Sequence, residues 1–138
     1  NELLSLPAKM KLSQKLFKQS GGVHACALFG FNFELLDCFE DVGRHNAMDK
    51  LIGHTLLKTS RDMRQCVLLL SGRISYDLVQ KASRAQIPFM AAVGAPTNLA
   101  VRIANEAGIT VVGFLGDRSY NIYSGWERIL LPDEEESS

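Results

Sequence analysis

Cys66-Val67-Leu68-Leu69-Leu70-Ser71-Gly72-Arg73 decides how the chain reads, because an unbroken apolar run stops abruptly at a polar turn. The same event recurs downstream. Phe89 to Val93 runs into Gly94-Ala95-Pro96-Thr97, and Ile109 to Leu115 runs into Gly116-Asp117-Arg118. Between these runs lie segments with helical spacing. Leu78, Val79 and Ala82 mark one, and Leu99, Ala100, Ile103, Ala104 and Ala107, closed by Gly108, mark the other. Short apolar runs alternating with amphipathic helices make a βαβαβ unit. Crossovers in such units share one hand, so the three strands are expected to be parallel. All three polar loops then emerge at the carboxyl ends, the edge where open α/β sheets bind ligands. A phosphate-bearing ligand is the first expectation.

Working outward, Pro7 to Ser20 has the spacing of a helix, with Met10, Leu16 and Phe17 on its apolar side and Gly21-Gly22 as its stop. Val23 to Phe31 and Phe33 to Phe39 flank the turn candidate Gly30-Phe31-Asn32 and predict an antiparallel hairpin with a largely buried first strand. A helix follows, with Ala47, Met48, Leu51, Ile52, Thr55 and Leu56 facing inward. Asn121-Ile122-Tyr123 predicts a last strand paired with the one before it. The expected fold is therefore α/β, with a mixed sheet built from a βαβαβ unit and an amino-terminal hairpin. No repeat or linker interrupts it.

The chain has 138 residues, which suits a single domain or one domain of a longer protein. Lys plus Arg equals Asp plus Glu, so net charge argues neither for a nucleic-acid footprint nor for an acidic solvating chain. Lys9, Lys11, Lys15 and Lys18 read as a solvated helix face, and Asp133 to Glu136 as a frayed tail. No stretch has the length of a membrane span or the pattern of a secretory signal, which makes a soluble, cytoplasmic protein the expectation. Cys26, Cys38 and Cys66 are far apart in apolar surroundings and read as reduced, buried thiols rather than a disulfide framework.

Ser71-Gly72-Arg73 and Gly94-Ala95-Pro96-Thr97 could hold phosphates, since glycine lets backbone N–H groups approach an anion and a helix start adds partial positive charge. Arg73 and Arg118 would supply the countercharge, their guanidinium forks matching phosphate oxygens. The competing reading is that Ser, Gly and Pro are simply what strand-to-helix turns need. Asp41, Arg44, His45 and Asn46 form the densest polar cluster. They could position a substrate or shuttle a proton. Equally, Asp41 could cap the helix while Arg44 pairs with a carboxylate. His24, on a strand expected to be buried, reads more as a core histidine than as a catalyst and ranks lower on chemistry alone, yet it stays, with Asp41, Arg44, His45 and Asn46, among the candidate cofactor-binding residues. Zinc ligand spacing, a Walker loop and a dinucleotide fingerprint are all missing, and none of the cysteines is a convincing nucleophile.

Six stretches also carry a family resemblance. They are Gly21-Gly22-Val23-His24-Ala25, the run Glu40-Asp41-Val42-Gly43-Arg44-His45-Asn46-Ala47-Met48-Asp49-Lys50, Leu70-Ser71-Gly72-Arg73, Ala95-Pro96-Thr97, Val112-Gly113-Phe114 and Asn121-Ile122-Tyr123. In this order, from about Leu6 to Arg128, they resemble FdhD, the formate dehydrogenase accessory protein family. The resemblance implies a three-layer, cytidine-deaminase-like fold in a protein that is often a homodimer. It implies a sulfurtransferase that takes sulfur from a cysteine desulfurase and passes it to the molybdenum cofactor in its bis-guanine-dinucleotide form, before formate dehydrogenase receives the cofactor. GDP would serve as an analogue of that ligand. Carried over, the cofactor would meet Phe114, Leu115, Gly116, Asp117, Arg118 and Ser119, which include one of the three loops.

The departure from the family is equally specific. Its sulfur travels on a Cys-x-x-Cys that would lie before the helix at Pro7, and this sequence contains none. The expectation is a carboxyl-terminal part comprising a helix over residues 1–20, an α/β core over 21–128 and an acidic tail over 129–138, with no persulfide cysteine of its own. Two other classes share the same loops. One is a guanine-nucleotide-binding module without catalysis. The other is a deaminase-like hydrolase, which would need a His-x-Glu and a Pro-Cys-x-x-Cys around zinc that are missing here. An RNA-binding role is weaker, since aromatics are few and no basic stripe continues past the first helix.

Overall fold

In the computed structural model, which describes residues 2–15 and 23–129, the chain alternates between helices and short strands. In order these are α1 (Leu6–Lys15), β1 (His24–Gly30), β2 (Leu35–Asp41), α2 (Arg44–Lys58), β3 (Cys66–Leu70), α3 (Tyr76–Arg84), β4 (Phe89–Ala92), α4 (Asn98–Ala107), β5 (Thr110–Gly113) and β6 (Asn121–Ser124). Single turns of 3-10 helix cover Glu2–Ser5 and Met63–Gln65.

All six strands form one sheet in the order β2-β1-β3-β4-β5-β6. β3, β4 and β5 are parallel, with Leu68 opposite Met90 and Met90 opposite Val111. The hairpin joins through β1, which runs antiparallel to both β2 and β3, and β6 closes the other side antiparallel to β5. β3 is buried along its whole length because both sheet faces are covered. Period-two alternation sends Cys66, Leu68 and Leu70 into a core shared with α2, α3 and α4. Val67 and Leu69 enter a second core with Leu3, Leu6 and Met10 of the amino-terminal helical segment. The result is three layers, helix on sheet on helices.

Several expectations need adjusting. β2 starts at Leu35 rather than Phe33, because Phe33 turns left-handed at φ 64° and Asn32 Oδ1 accepts the Glu34 N–H at 3.1 Å, closing the turn instead of extending the strand. Leu56 is 64% exposed, since Thr55, one helical step earlier, takes the inward position. Leu99 is 43% exposed and Ala107 is exposed as well, leaving Ala100 and Ala104 as the buried pair of α4. Leu16, Phe17, Gly21, Gly22 and the acidic run from Asp133 to Glu136 lie outside the described residues.

The two crossover helices end in the same hydrogen-bonded motif. After α3, Ile87 N–H donates to Ala82 O at 2.9 Å and Gln86 N–H to Ser83 O at 3.0 Å. After α4, Ile109 N–H donates to Ala104 O at 2.9 Å. Both motifs place one residue in the left-handed region, Gln86 at φ 65° and Gly108 at φ 73°. Glycine adopts that conformation without steric cost, whereas a side chain does not. Gln86→Gly is therefore expected to raise, and Gly108→Ala to lower, stability by up to about 1 kcal/mol each, read as opposite shifts of the urea midpoint.

Candidate functional site

The hydrogen-bond ladder does not stop where the parallel strands do. Val93 N–H donates to Leu70 O at 3.0 Å, Gly94 N–H to Gly72 O at 3.0 Å and Phe114 N–H to Gly94 O at 3.0 Å. Ile74 and Pro96 form a further parallel bridge, with Thr97 N–H donating to Ile74 O at 3.0 Å. The first two polar loops and the start of the third, at Phe114, are thus zipped into one ledge above the sheet. The N–H groups of Gly94 and Thr97 are occupied within it, as is that of Gly116, which donates to Ser119 O at 3.0 Å. Gly94 is glycine for proximity: a Cβ there would lie 2.8 Å from Gly72 O and 3.0 Å from Gly72 C, both rigid backbone atoms.

β2 ends at the same edge, and the amino end of β1 reaches it because β1 is antiparallel to β3. Asp41 therefore stands in register with His24. The Asp41 carboxylate accepts from Gly43 N–H at 3.0 Å and Asn46 Nδ2 at 3.4 Å, and pairs with Lys50 Nζ at 2.7 Å. Lys50 also donates to Glu40 O at 3.2 Å. These contacts, the Lys50 hydrogen bond foremost, hold the Asp41 carboxyl at about 2. Asp41 is thus a knot between β2 and α2. It is not the N-cap, which is Gly43 and offers no side-chain acceptor. Among the described residues Arg44 pairs with no carboxylate, and its Nε is buried without a hydrogen-bond partner.

The helix starts along this edge differ in how they are capped. Thr97 Oγ1 accepts from Ala100 N–H at 3.1 Å at the start of α4. Gly43 and Ser75, which begin α2 and α3, make no such bond, and Ser75 Oγ is buried and unpartnered. The first-turn N–H groups of α2 and α3 are left without side-chain acceptors, together with the partial positive charge of each helix start. Among the described residues, the side chains of Arg44, Arg73 and Arg118 make no ion pair or hydrogen bond, as is also true of Arg84 and Arg102 away from this edge, whereas Arg61, Arg64 and Arg128 do.

The expected residues divide on inspection. Ser71 ties the edge together, its N–H donating to Ala25 O at 3.0 Å and its Oγ accepting from Ala25 N–H at 2.9 Å. Arg73, Asp117, Arg118 and Ser119 are exposed, and His45 is half-buried in the first turn of α2. Leu115 is buried in the second core, so only its backbone faces the edge. Phe114 holds a left-handed backbone, φ 51°, with its ring 53% exposed, an arrangement with no packing reason. His24 departs from its core reading. It is half-buried at the rim of β1, with no hydrogen bond or ion pair among the described residues. Spacing alone does not place it at the rim, because the pairing of β1 with β3 that brings its amino end to the edge is a long-range event.

Burial raises the thiols of Cys26, Cys38 and Cys66, most strongly that of Cys26. Cys38 is half-buried rather than buried. Among the described residues no three His, Cys, Asp or Glu side chains gather as a metal would require, and no helix is long and apolar enough to cross a membrane.

A three-layer α/β domain with uncapped helix starts and unpaired arginines along one strand-end edge is the class these observations define. Residues 1–130 match the sequence profile of the FdhD/NarQ family, and the chain belongs to that family. It is 52% identical over 129 residues to the sulfur carrier protein FdhD of Streptomyces avermitilis, covering 94% of this chain and 46% of that protein. It is 48% identical over 128 residues to the protein of the same name from Sulfurisphaera tokodaii, covering 93% of this chain and 50% of that one. A crystal structure from Desulfotalea psychrophila, provisionally described as a formate dehydrogenase accessory protein, superposes with a TM-score of 0.84 at 33% identity, over 93% of this chain and 57% of that chain. The chain spans about half the length of the curated relatives it matches.

The depressed value of Asp41 fixes a pH window. Its stabilising contribution is complete above its ordinary value of 3.8 and is lost as pH falls through about 2. Unfolding midpoints measured down this range should fall, and Asp41→Asn should flatten that part of the profile.

Proposed function

We propose that this chain is the cofactor-holding part of a sulfur carrier that serves formate dehydrogenase. Sulfur would come from a cysteine desulfurase and be passed to the molybdenum cofactor in its bis-guanine-dinucleotide form, which is the substrate of the carrier. The observation that carries this reading is the convergence of two uncapped helix starts and three unpaired arginines on one strand-end edge, in a chain of this family. A ligand with two pyrophosphates needs that chemistry: guanidinium forks for the phosphate oxygens and helix N–H groups for the remaining charge. Arg73 and Arg118 would grip phosphates, and the exposed Phe114 ring would stack on the guanine. The metal end of the ligand is where the sulfur is received. The helix-on-sheet-on-helices layering agrees with the deaminase-like architecture of this reading, which also places the protein in the cytoplasm as a homodimer.

The state of the cysteines favours a division of labour. A persulfide carrier needs an accessible thiolate, and burial works against that at Cys26, Cys38 and Cys66. This chain would bind, while the sulfur-bearing cysteine belongs to another segment of the full carrier. A guanine-nucleotide module without catalysis shares the same edge and is separated from this reading by the desulfurase experiment below.

Calorimetric titration of the chain with GDP is expected to show saturable binding that ADP does not match. Arg118→Ala or Arg73→Ala should each remove a charged hydrogen bond of about 1.5–3 kcal/mol, or about ten- to a hundredfold in affinity. Mass spectrometry after incubation with a desulfurase should find no persulfide on Cys26, Cys38 or Cys66. In the longer carrier it should find one elsewhere, and its absence there would favour the non-catalytic module.

A further inference from the structure

His24 and Gly72 form a pair that neither the fold nor the loops explain. A Cβ at Gly72 would lie 3.2 Å from Nδ1 and 3.5 Å from Cε1 of His24, so the imidazole occupies the space a side chain would take. The backbone beneath the ring is pinned from both sides. Ala25 exchanges hydrogen bonds with Ser71, and His24 is in register with Asp41. Among the described residues the ring itself has no hydrogen-bond or ion-pair partner. Asp41, the carboxylate opposite it, is already engaged by Gly43, Asn46 and Lys50. Its nitrogens are not among the buried atoms left without a partner, so the half-buried ring is open to a partner at the edge. The neighbouring groups set the chemistry. Arg44 opens the helix that follows Asp41, Arg73 follows Gly72, and neither side chain is paired among the described residues.

We infer that the imidazole of His24 donates a hydrogen bond directly to a phosphoryl oxygen of the ligand held at this edge, and that Gly72 lacks a side chain to give that ring room. The inference rests on reading the edge as a phosphate site, and it reassigns Gly72. Its role is clearance for a ligand-contacting side chain rather than a bare backbone approach to the anion.

The test titrates the full chain and its His24→Gln and His24→Phe variants with GDP and with inorganic pyrophosphate, alongside urea midpoints. Glutamine keeps an N–H donor on a side chain of similar reach and should hold affinity within about threefold, whereas phenylalanine keeps only the ring shape and should lose about tenfold. Gly72→Ala, which displaces the ring, should weaken both ligands in the same way. Equal affinity of His24→Phe and the parent overturns the contact but leaves the phosphate edge standing. Failure of the parent to bind either ligand overturns both. If His24→Phe does not fold, the imidazole nitrogen resonances of the parent decide. They shift on saturation with pyrophosphate if the ring touches the ligand, and an unchanged spectrum rules the contact out.

Discussion

The close approach of Gly72 and Gly94 is the constraint on which the rest of the edge depends. Strands in a parallel sheet normally part company at their carboxyl ends, each chain leaving for its own helix. Here the Gly94 N–H meets Gly72 O at 3.0 Å, and the absence of a Cβ at Gly94 permits that contact. The Phe114 N–H then meets Gly94 O, so the three loops are joined by a continuous row of hydrogen bonds. A ledge of this kind fixes where α3 and α4 begin and where the arginine-bearing turns stand. It converts a row of turns into a surface with defined geometry. Preorganisation matters because a flexible cationic loop would lose part of its affinity to ordering.

The long polar motif from Glu40 to Lys50 plays the corresponding part on the hairpin side. Its two most suggestive charges, Asp41 and Lys50, neutralise each other at 2.7 Å. Their work is to hold the turn from β2 into α2 while Arg44 remains unpaired. On this side of the edge the acidic charge of Asp41 is engaged by Lys50, while Arg44 has no ion-pair partner among the described residues.

Much of this was legible in the sequence. Cys66 to Leu70 was bounded correctly because a strand buried on both faces has no polar positions to confuse its limits. Leu78, Val79 and Ala82 were placed inward because helical spacing encodes a face directly. The errors lie where spacing is silent. Thr55 rather than Leu56 faces the core because both fit an inward stripe and only packing chooses between them. His24 was read as a core residue because its strand is apolar, while its position at the rim is set by pairing with a strand more than forty residues away, Cys26 meeting Leu70. The reason for a glycine, whether backbone freedom, backbone proximity as at Gly94 or clearance as at Gly72, is a three-dimensional fact that no single-chain pattern carries.

The central claim is that the ligand sits across the strand-end ledge. The most direct test is a map of backbone amide resonances as GDP is added. The account predicts shifts confined to Gly72, Arg73, Ala95, the turn from Phe114 to Ser119 and the first turns of α2 and α3. Shifts centred instead on the outer groove between α3 and α4, at Gln80, Arg84, Ile103 and Glu106, or no shifts at saturating GDP, would contradict it.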